Sequence, residues 1–288
     1  MPTFVVDLGN TRLKAGLFDG GLLRAMVSFS HDVLENGTER AELARFLSQG
    51  LVFAAEPGAA AVSPESGAVA GEFFHVLSLI SPETVLPLLL FSSVVALEPE
   101  FLDWLRNYSR LTLLEPELKL PFENLYASPL SLGSDRTAAV AGAISLYPGR
   151  DVLVINAGTA ITYEFLNRTG QYLGGAISPG IQMRYKALHT FTSRLPLLEL
   201  DEKTPDLIGN DTISAIRSGV QLNTLFEVSA VIGNYRKVYG EDLTICICGG
   251  DSKTFVSQLK SSIFADHLAW QPDLVLIGLN KILTFNNA

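Results

Sequence analysis

Asp7, Gly9, Asn10 and Thr11 follow the apolar run Phe4-Val5-Val6, and the same spacing returns in Leu153-Val154-Ile155-Asn156-Ala157-Gly158-Thr159-Ala160. In each copy a short strand delivers a polar side chain at its end, a glycine lets the backbone turn tightly against a ligand, and small polar groups follow. Exposed N–H groups in such a turn, with Asn10 and Thr11 beside them, wrap an anion such as a phosphate. Asp7 is placed to hold Mg²⁺, directly or through water. The competing use is an Asp that bonds its own turn. Lys14 is in register with this group, although it reads equally as an exposed strand charge. One copy per half predicts a nucleotide clamped between two related domains.

Gly133-Ser134-Asp135-Arg136 opens an apolar-striped helix over Thr137 to Leu146. There Asp135 sits in the positive end of a helix dipole, which favours its ionised form. A carboxylate in that position reads equally as a helix cap or as an acid–base group. Arg136 offers a planar fork for a carboxylate or phosphate. In the second copy Gly158 and Thr159 match Gly9 and Asn10, so Thr159 would face the phosphates from the other side. Asn156 stands where the first copy has a carboxylate, and its neutral amide oxygen would hold a cation more weakly. Gly174-Gly175 and Ser178-Pro179-Gly180 read as turns.

The elements that must position these groups also repeat. The opening reads as strand (Thr3 to Leu8), turn (Gly9 to Arg12), strand (Leu13 to Phe18), the hairpin signal Asp19-Gly20-Gly21, and a third strand near Leu23 to Phe29. Thr38 to Leu47 has helical periodicity, with Leu43, Phe46 and Leu47 on one face. Glu56 to Gly71, rich in Ala, Gly, Pro and Ser, reads as a surface loop. A buried strand over Pro87 to Val95, a helix over Glu98 to Tyr108 and a proline-bearing crossing at Glu115 to Pro121 close the first half. The meander then restarts as Asp151 to Asn156, Ala160 to Leu166 and Tyr172 to Ile177. A long helical pattern runs from an Asp211-Thr212 cap to about Tyr239, with Gly219 and Gly233 as points of bending or of close approach by a neighbour. A strand over Leu243 to Cys248, the Gly249-Gly250 turn and a terminal helix over Leu279 to Phe285 follow. Meander, then alternating helices and strands, twice over, is an α/β plan with a cleft between its halves.

Bulk properties narrow the partners. The 288 residues carry a formal net charge of -9, which disfavours nucleic acid. An anionic ligand would be held by local donors and a bound cation. Apolar residues make up 48 %, a surplus that an obligate subunit interface would absorb. No leader segment or membrane span is expected, and the cytoplasm is the default location. Cys246 and Cys248 alternate with isoleucines and read as small buried side chains. The histidines are scattered, so zinc is not expected.

Taken in order, these motifs resemble type III pantothenate kinase, of the acetate and sugar kinase, heat-shock ATPase and actin superfamily. The match includes Asp7 to Lys14, Ser92-Ser93-Val94-Val95, Gly133 to Arg136, Asn156 to Thr162, Gly174 to Gly180, Thr192-Ser193-Arg194-Leu195-Pro196 and Gly249-Gly250. The resemblance implies two duplicated ribonuclease H-like (actin-like ATPase) domains, 1–120 and 121–288, with a nucleotide cleft between them and the terminal helix free to pack back on the first. It implies phosphorylation of pantothenate by ATP with Mg²⁺, the first step of coenzyme A synthesis, by a homodimer. ATP would be bound by Asp7, Leu8, Gly9, Asn10, Thr11, Arg12, Leu13, Lys14 and Thr159. Pantothenate would be bound by Tyr126, Gly133, Ser134, Asp135, Arg136 and Thr192, with Asp135 as general base. Asn156 stands where the family usually has an Asp that binds a monovalent cation, K⁺ or NH₄⁺, which implies altered cation dependence. A nonenzymatic nucleotide-binding regulator on the same scaffold, or a kinase for another small hydroxylated substrate, are the competing readings.

Overall fold

The computed structural model describes residues 2–30, 37–55 (side chains 38–48), 86–95, 97–201, 203–260 and 264–287. In chain order the elements are β1 (Pro2–Leu8), β2 (Arg12–Asp19), β3 (Leu22–Ser30), α1 (Gly37–Ala55), β4 (Leu88–Ser93), α2 (Pro99–Arg106), β5 (Arg110–Leu113), β6 (Glu123–Asn124) and α3 (Ser134–Leu146). They continue with β7 (Val152–Ala157), β8 (Ala160–Leu166), β9 (Gln171–Pro179), α4 (Ile181–Thr190), α5 (Thr212–Arg217), a π-turn (Ser218–Leu222), α6 (Asn223–Tyr239), β10 (Thr244–Cys248), α7 (Ser252–Leu259), β11 (Leu268–Trp270) and α8 (Leu274–Phe285). The expected loop at Glu56 to Gly71 lies outside the described residues.

Two compact units result, and the division is not one cut at 120. The first comprises Met1–Pro121, Ser128–Ser145 and Val275–Ala288; the second comprises Phe122–Ala127 and Leu146–Leu274. The physical reason lies in what α3 and α8 pack against. Thr3 on β1 donates to Asn280 Oδ1 at 2.6 Å, and Asn280 donates to the Gly20 carbonyl at 2.8 Å. A Cβ on Gly278 would lie 1.7 Å from the Ala138 carbonyl oxygen, so α8 and α3 cross with their backbones touching. Only glycine permits that approach.

The first unit is a five-stranded sheet in the order β3-β2-β1-β4-β5. Its β1–β2 and β2–β3 pairs are antiparallel, and its β1–β4 and β4–β5 pairs are parallel. Alternation along β1 sends Phe4, Val6 and Leu8 into a core with Leu43, Phe46 and Leu47 of α1 and with Phe91, Phe101 and Leu105. Thr3, Val5 and Asp7 point to the opposite face. The 3.6-residue apolar spacing in α1 and the alternation in β1 therefore meet in one cluster, as the pattern predicts.

The second unit carries the order β11-β10-β7-β8-β9-β6. From β9 to β11 it has the strand order and directions of the first sheet, with β7 in the place of β1 and β10 in the place of β4. The two-residue β6 adds to the β9 edge. Leu153, Ile155 and Ala157 face a core with Ile161, Tyr163, Tyr185, Val228 and Ile232. The long helical pattern from Asp211 is interrupted by the π-turn, which divides α5 from α6 around Gly219, whereas α6 runs unbroken through Gly233, the other expected point of bending. Asp211 caps α5 through a bond from Ser214 N at 2.8 Å, with the reciprocal bond from Asp211 N to Ser214 Oγ at 3.1 Å.

Candidate active site

In the first unit the sheet brings three sequence-distant groups together. Parallel pairing sets Asp7 beside Ser92, and antiparallel pairing sets it opposite Lys14. Ser92, fully buried, donates to Asp7 Oδ1 at 3.1 Å, and its Oγ lies 3.0 Å from Ser134 Oγ. Ser134 in turn donates to the Ser93 carbonyl at 3.2 Å. The first residue of α3 is thus fastened to the end of β4, and Asp135 follows directly.

Asp135 accepts a 2.8 Å bond from the Arg136 N–H, so its carboxylate lies against the first turn of α3. Burial, and then the charge of Asp135, push Asp7 up to about 6. The Ser92 bond and Lys14 pull it down without cancelling the rise. A buried carboxylate whose charge is disfavoured, with a second carboxylate acting on it, forms a place where a cation is welcome. No group of three or more acidic, His or Cys ligands exists among the described residues. The donor set therefore fits Mg²⁺ kept largely by water and phosphate oxygens, not a protein cage. Gly9 N–H closes the turn onto the Arg12 carbonyl at 2.9 Å, leaving Asn10, Thr11 and Arg12 exposed. Arg136 is buried, at 6 % exposure.

The second unit holds the remaining candidates. Asn156 pairs with Thr162 on β8 and Cys248 on β10, the sheet position that Asp7 occupies in the first unit. Gly249 has φ +94°, and a Cβ there would lie 2.3 Å from the Ala157 carbonyl oxygen and 2.6 Å from Asn156 Oδ1. Thr162 Oγ1, directly across the strand pair from Asn156, is buried without a hydrogen-bond partner among the described residues. Neutral oxygens in that arrangement fit a weakly held monovalent cation. Thr159 is exposed, and the Gly180 N–H donates to its carbonyl at 3.1 Å.

Tyr126 stacks on the buried Tyr172 with centroids 6.0 Å apart, and Tyr172 donates to the fully buried Glu164 at 2.6 Å. Thr192 donates to the Leu188 carbonyl at 2.7 Å and lines a groove of about 830 Å³ with Leu188, Phe191 and Ile216. Cys246 and Cys248 are buried and unbridged.

The sequence pattern described as type III pantothenate kinase matches residues 74–234. A type III pantothenate kinase of Bacteroides fragilis is 49 % identical over 174 residues, covering 60 % of this chain and 69 % of that one. One from Flavobacterium psychrophilum is 37 % identical over 280 residues, covering 97 % of this chain and 98 % of that one. The chain belongs to the type III pantothenate kinase family. Among solved structures, one described as a Baf family transcriptional activator from Campylobacter jejuni superimposes with a TM-score of 0.54 at 19 % identity, covering 99 % of this chain and 98 % of that one. That likeness concerns the α/β fold alone.

Lys14, expected to bind ATP, lies opposite Asp7 in the β1–β2 pair. Ser92 was part of a motif but carried no assigned role, although a serine ending an apolar run on the strand beside β1 is the signal that locates it. The pair Arg184–Glu227 was missed altogether, its members lying 43 residues apart.

Proposed function

We propose that this chain transfers the γ-phosphoryl group of ATP to the primary hydroxyl of pantothenate, the first step of coenzyme A synthesis. Family membership supports the activity. The observation that carries the site is the Asp7–Ser92–Ser134 connection, which sets the metal-binding candidate beside the proposed base, Asp135. In this reading Asp7, Leu8, Gly9, Asn10, Thr11, Arg12, Leu13 and Lys14, with Thr159, bind ATP. Tyr126, Gly133, Ser134, Arg136 and Thr192 bind pantothenate, with Arg136 opposite its carboxylate.

The hydroxyl oxygen attacks the γ-phosphorus in line as the bond to the ADP oxygen breaks, and the hydroxyl proton passes to Asp135. A loose transition state retains that proton until late, so an ordinary carboxylate suffices as acceptor. Mg²⁺, when bound, supplies positive charge against the phosphates. Lys14 and the amides of the Gly9 turn offset the rest, and most of the rate arises from that positioning. Asn156 with Thr162 would hold the monovalent cation through neutral oxygens only.

The two units correspond in this proposal to duplicated ribonuclease H-like domains with the nucleotide cleft between them, the first recruiting α3 and α8 from the later sequence. The working form is a cytoplasmic homodimer, and Thr192 contacts pantothenate, across the subunit interface if the exposed Phe191 beside it packs there. No helix among the described residues is long and apolar enough to cross a membrane.

Measuring ADP release with and without pantothenate, with phosphorus NMR of the product, tests the assignment. Pantothenate-dependent ADP release with a phosphomonoester signal is expected. ATP binding without turnover would instead favour a nonenzymatic regulator, and turnover with a different small alcohol would reassign the substrate.

A further inference from the structure

Arg184, on the first turns of α4, makes three side-chain hydrogen bonds. Its Nε donates to the Pro179 carbonyl at 2.8 Å, and its Nη2 donates to Ser178 Oγ at 2.8 Å and to Glu227 Oε2 at 2.6 Å. Burial opposes the charge on Glu227, but the bonds from Arg184, Ser178 and Tyr163 outweigh it and hold the carboxyl below the usual range. Tyr163 donates to Glu227 Oε1 at 3.2 Å. Four elements, β8, β9, α4 and α6, therefore converge on one ion pair, with side-chain exposures of 22 % for Arg184 and 31 % for Glu227. At that degree of burial the pair is better placed to fix geometry than an exposed one.

What it fixes is the turn next to Thr159. Pro179, whose carbonyl Arg184 holds, is opposite Ala160 in the β8–β9 pairing. Gly180 follows, donating to the Thr159 carbonyl at 3.1 Å, and a Cβ on Gly180 would stand 2.1 Å from the Gly158 carbonyl oxygen and 2.5 Å from that of Thr159. The Pro179–Gly180 backbone is a wedge seated directly on the Gly158–Thr159 turn. Other bonds anchor α4 without Arg184: its neighbour Tyr185 donates to Gln221 at 2.6 Å, and towards the far end His189 Nδ1 lies 2.8 Å from the Leu195 carbonyl. Losing Arg184 should release the wedge while leaving the Thr192 segment in place.

We propose that Arg184, braced by Glu227, is a positioning residue that holds Thr159 in its phosphate-binding geometry by locking the Pro179–Gly180 wedge. This rests on the reading that Thr159 contacts ATP. Arg184 also lines the groove that holds Thr192, so the pantothenate KM is the readout that separates a role through the wedge from a direct one.

The test is ATP–Mg²⁺ titration calorimetry on the full chain, without pantothenate, alongside steady-state KM values for both substrates. Arg184→Ala is expected to weaken ATP binding and raise the ATP KM by roughly 10-fold or more, with the pantothenate KM within about 2-fold. Arg184→Lys, which keeps the charge but cannot make all three bonds, should fall between, and Lys186→Ala on the exposed side of the same helix should match the unaltered chain. An Arg184→Ala protein with unchanged ATP affinity overturns the proposal, as does an equal rise in both KM values. If Arg184→Ala fails to fold, Arg184→Lys and Glu227→Gln decide it: roughly 3-fold weaker ATP binding with unaltered pantothenate KM supports the role, and unchanged binding sinks it. ATP binding by the unaltered chain without pantothenate-dependent turnover would defeat the pantothenate assignment while leaving the Arg184 comparison intact.

Discussion

Asp7 is held in a folded environment that disfavours its charge, and that tension is the property its role requires. Its value of about 6 lies above its ordinary value of 3.8. A carboxyl with a raised folded value binds its proton more tightly folded than unfolded, so its contribution is present at low pH and is lost as pH rises through roughly 4 to 6. The unliganded protein should therefore melt lower relative to Asp7→Asn at pH 7 than at pH 5. Thermal melts of both proteins at the two pH values measure this, and a pH-independent difference would contradict it. Turnover should collapse in Asp7→Asn even as its unliganded fold becomes more robust. At the matching position of the second unit, Asn156→Asp places a charge opposite the buried hydroxyl of Thr162. That variant should reach half-maximal rate at lower K⁺ than the unaltered chain, and identical K⁺ titrations would refute the link.

Among the elements, α3 and α8 decide which sheet owns the GSDR turn. Their crossing at Gly278 and Ala138 leaves no room for a methyl group, so Gly278→Ala must push the helices apart. Overpacking of this kind costs about 1–3 kcal/mol, and here it should also loosen Ser134 from Ser92. A urea midpoint lowered with unchanged slope, together with reduced turnover, is expected, and an unaltered midpoint would show that the crossing yields freely. The crossing was not legible in the sequence. Helical periodicity shows that Thr137 to Leu146 has an apolar stripe, but not which of two sheets receives it. By contrast the paired meanders were readable, because the short apolar runs Phe4-Val5-Val6 and Leu153-Val154-Ile155, each ending at a glycine turn, mark buried strands, and Asp19-Gly20 marks the hairpin. The π-turn was only partly legible: Gly219 marked the place, while the extra residue it accommodates leaves no periodic trace. The two-residue β6 was too short for any pattern.

At the scale of the whole molecule, one sheet plan occurs twice with different charges at its key position, a carboxylate in the first unit and an amide in the second. The reading assigns the divalent ion and the base to the unit with the charge, and the neutral donors to the other. The motif order made this division visible early, since Asp7 and Asn156 occupy matching places in the repeat. Subunit count was less accessible, because an apolar surplus does not say where it lies. Light scattering of the full chain should give a mass near twice 31.2 kDa, and Phe191→Glu, which charges an 85 % exposed ring, should lower it. A mass of 31.2 kDa at working concentration would remove the dimer from the account.

The most direct measurement is pantothenate-dependent ADP release by Asp135→Asn, made after calorimetry has established its ATP affinity. Asparagine keeps the size of the side chain and its place at the start of α3 but accepts no proton. The rate should fall by about 10²–10⁴, the range of a lost acid–base group, with ATP affinity within about 3-fold of the unaltered chain. A variant that binds ATP normally and releases ADP at the unaltered rate would contradict the assignment of Asp135 as base.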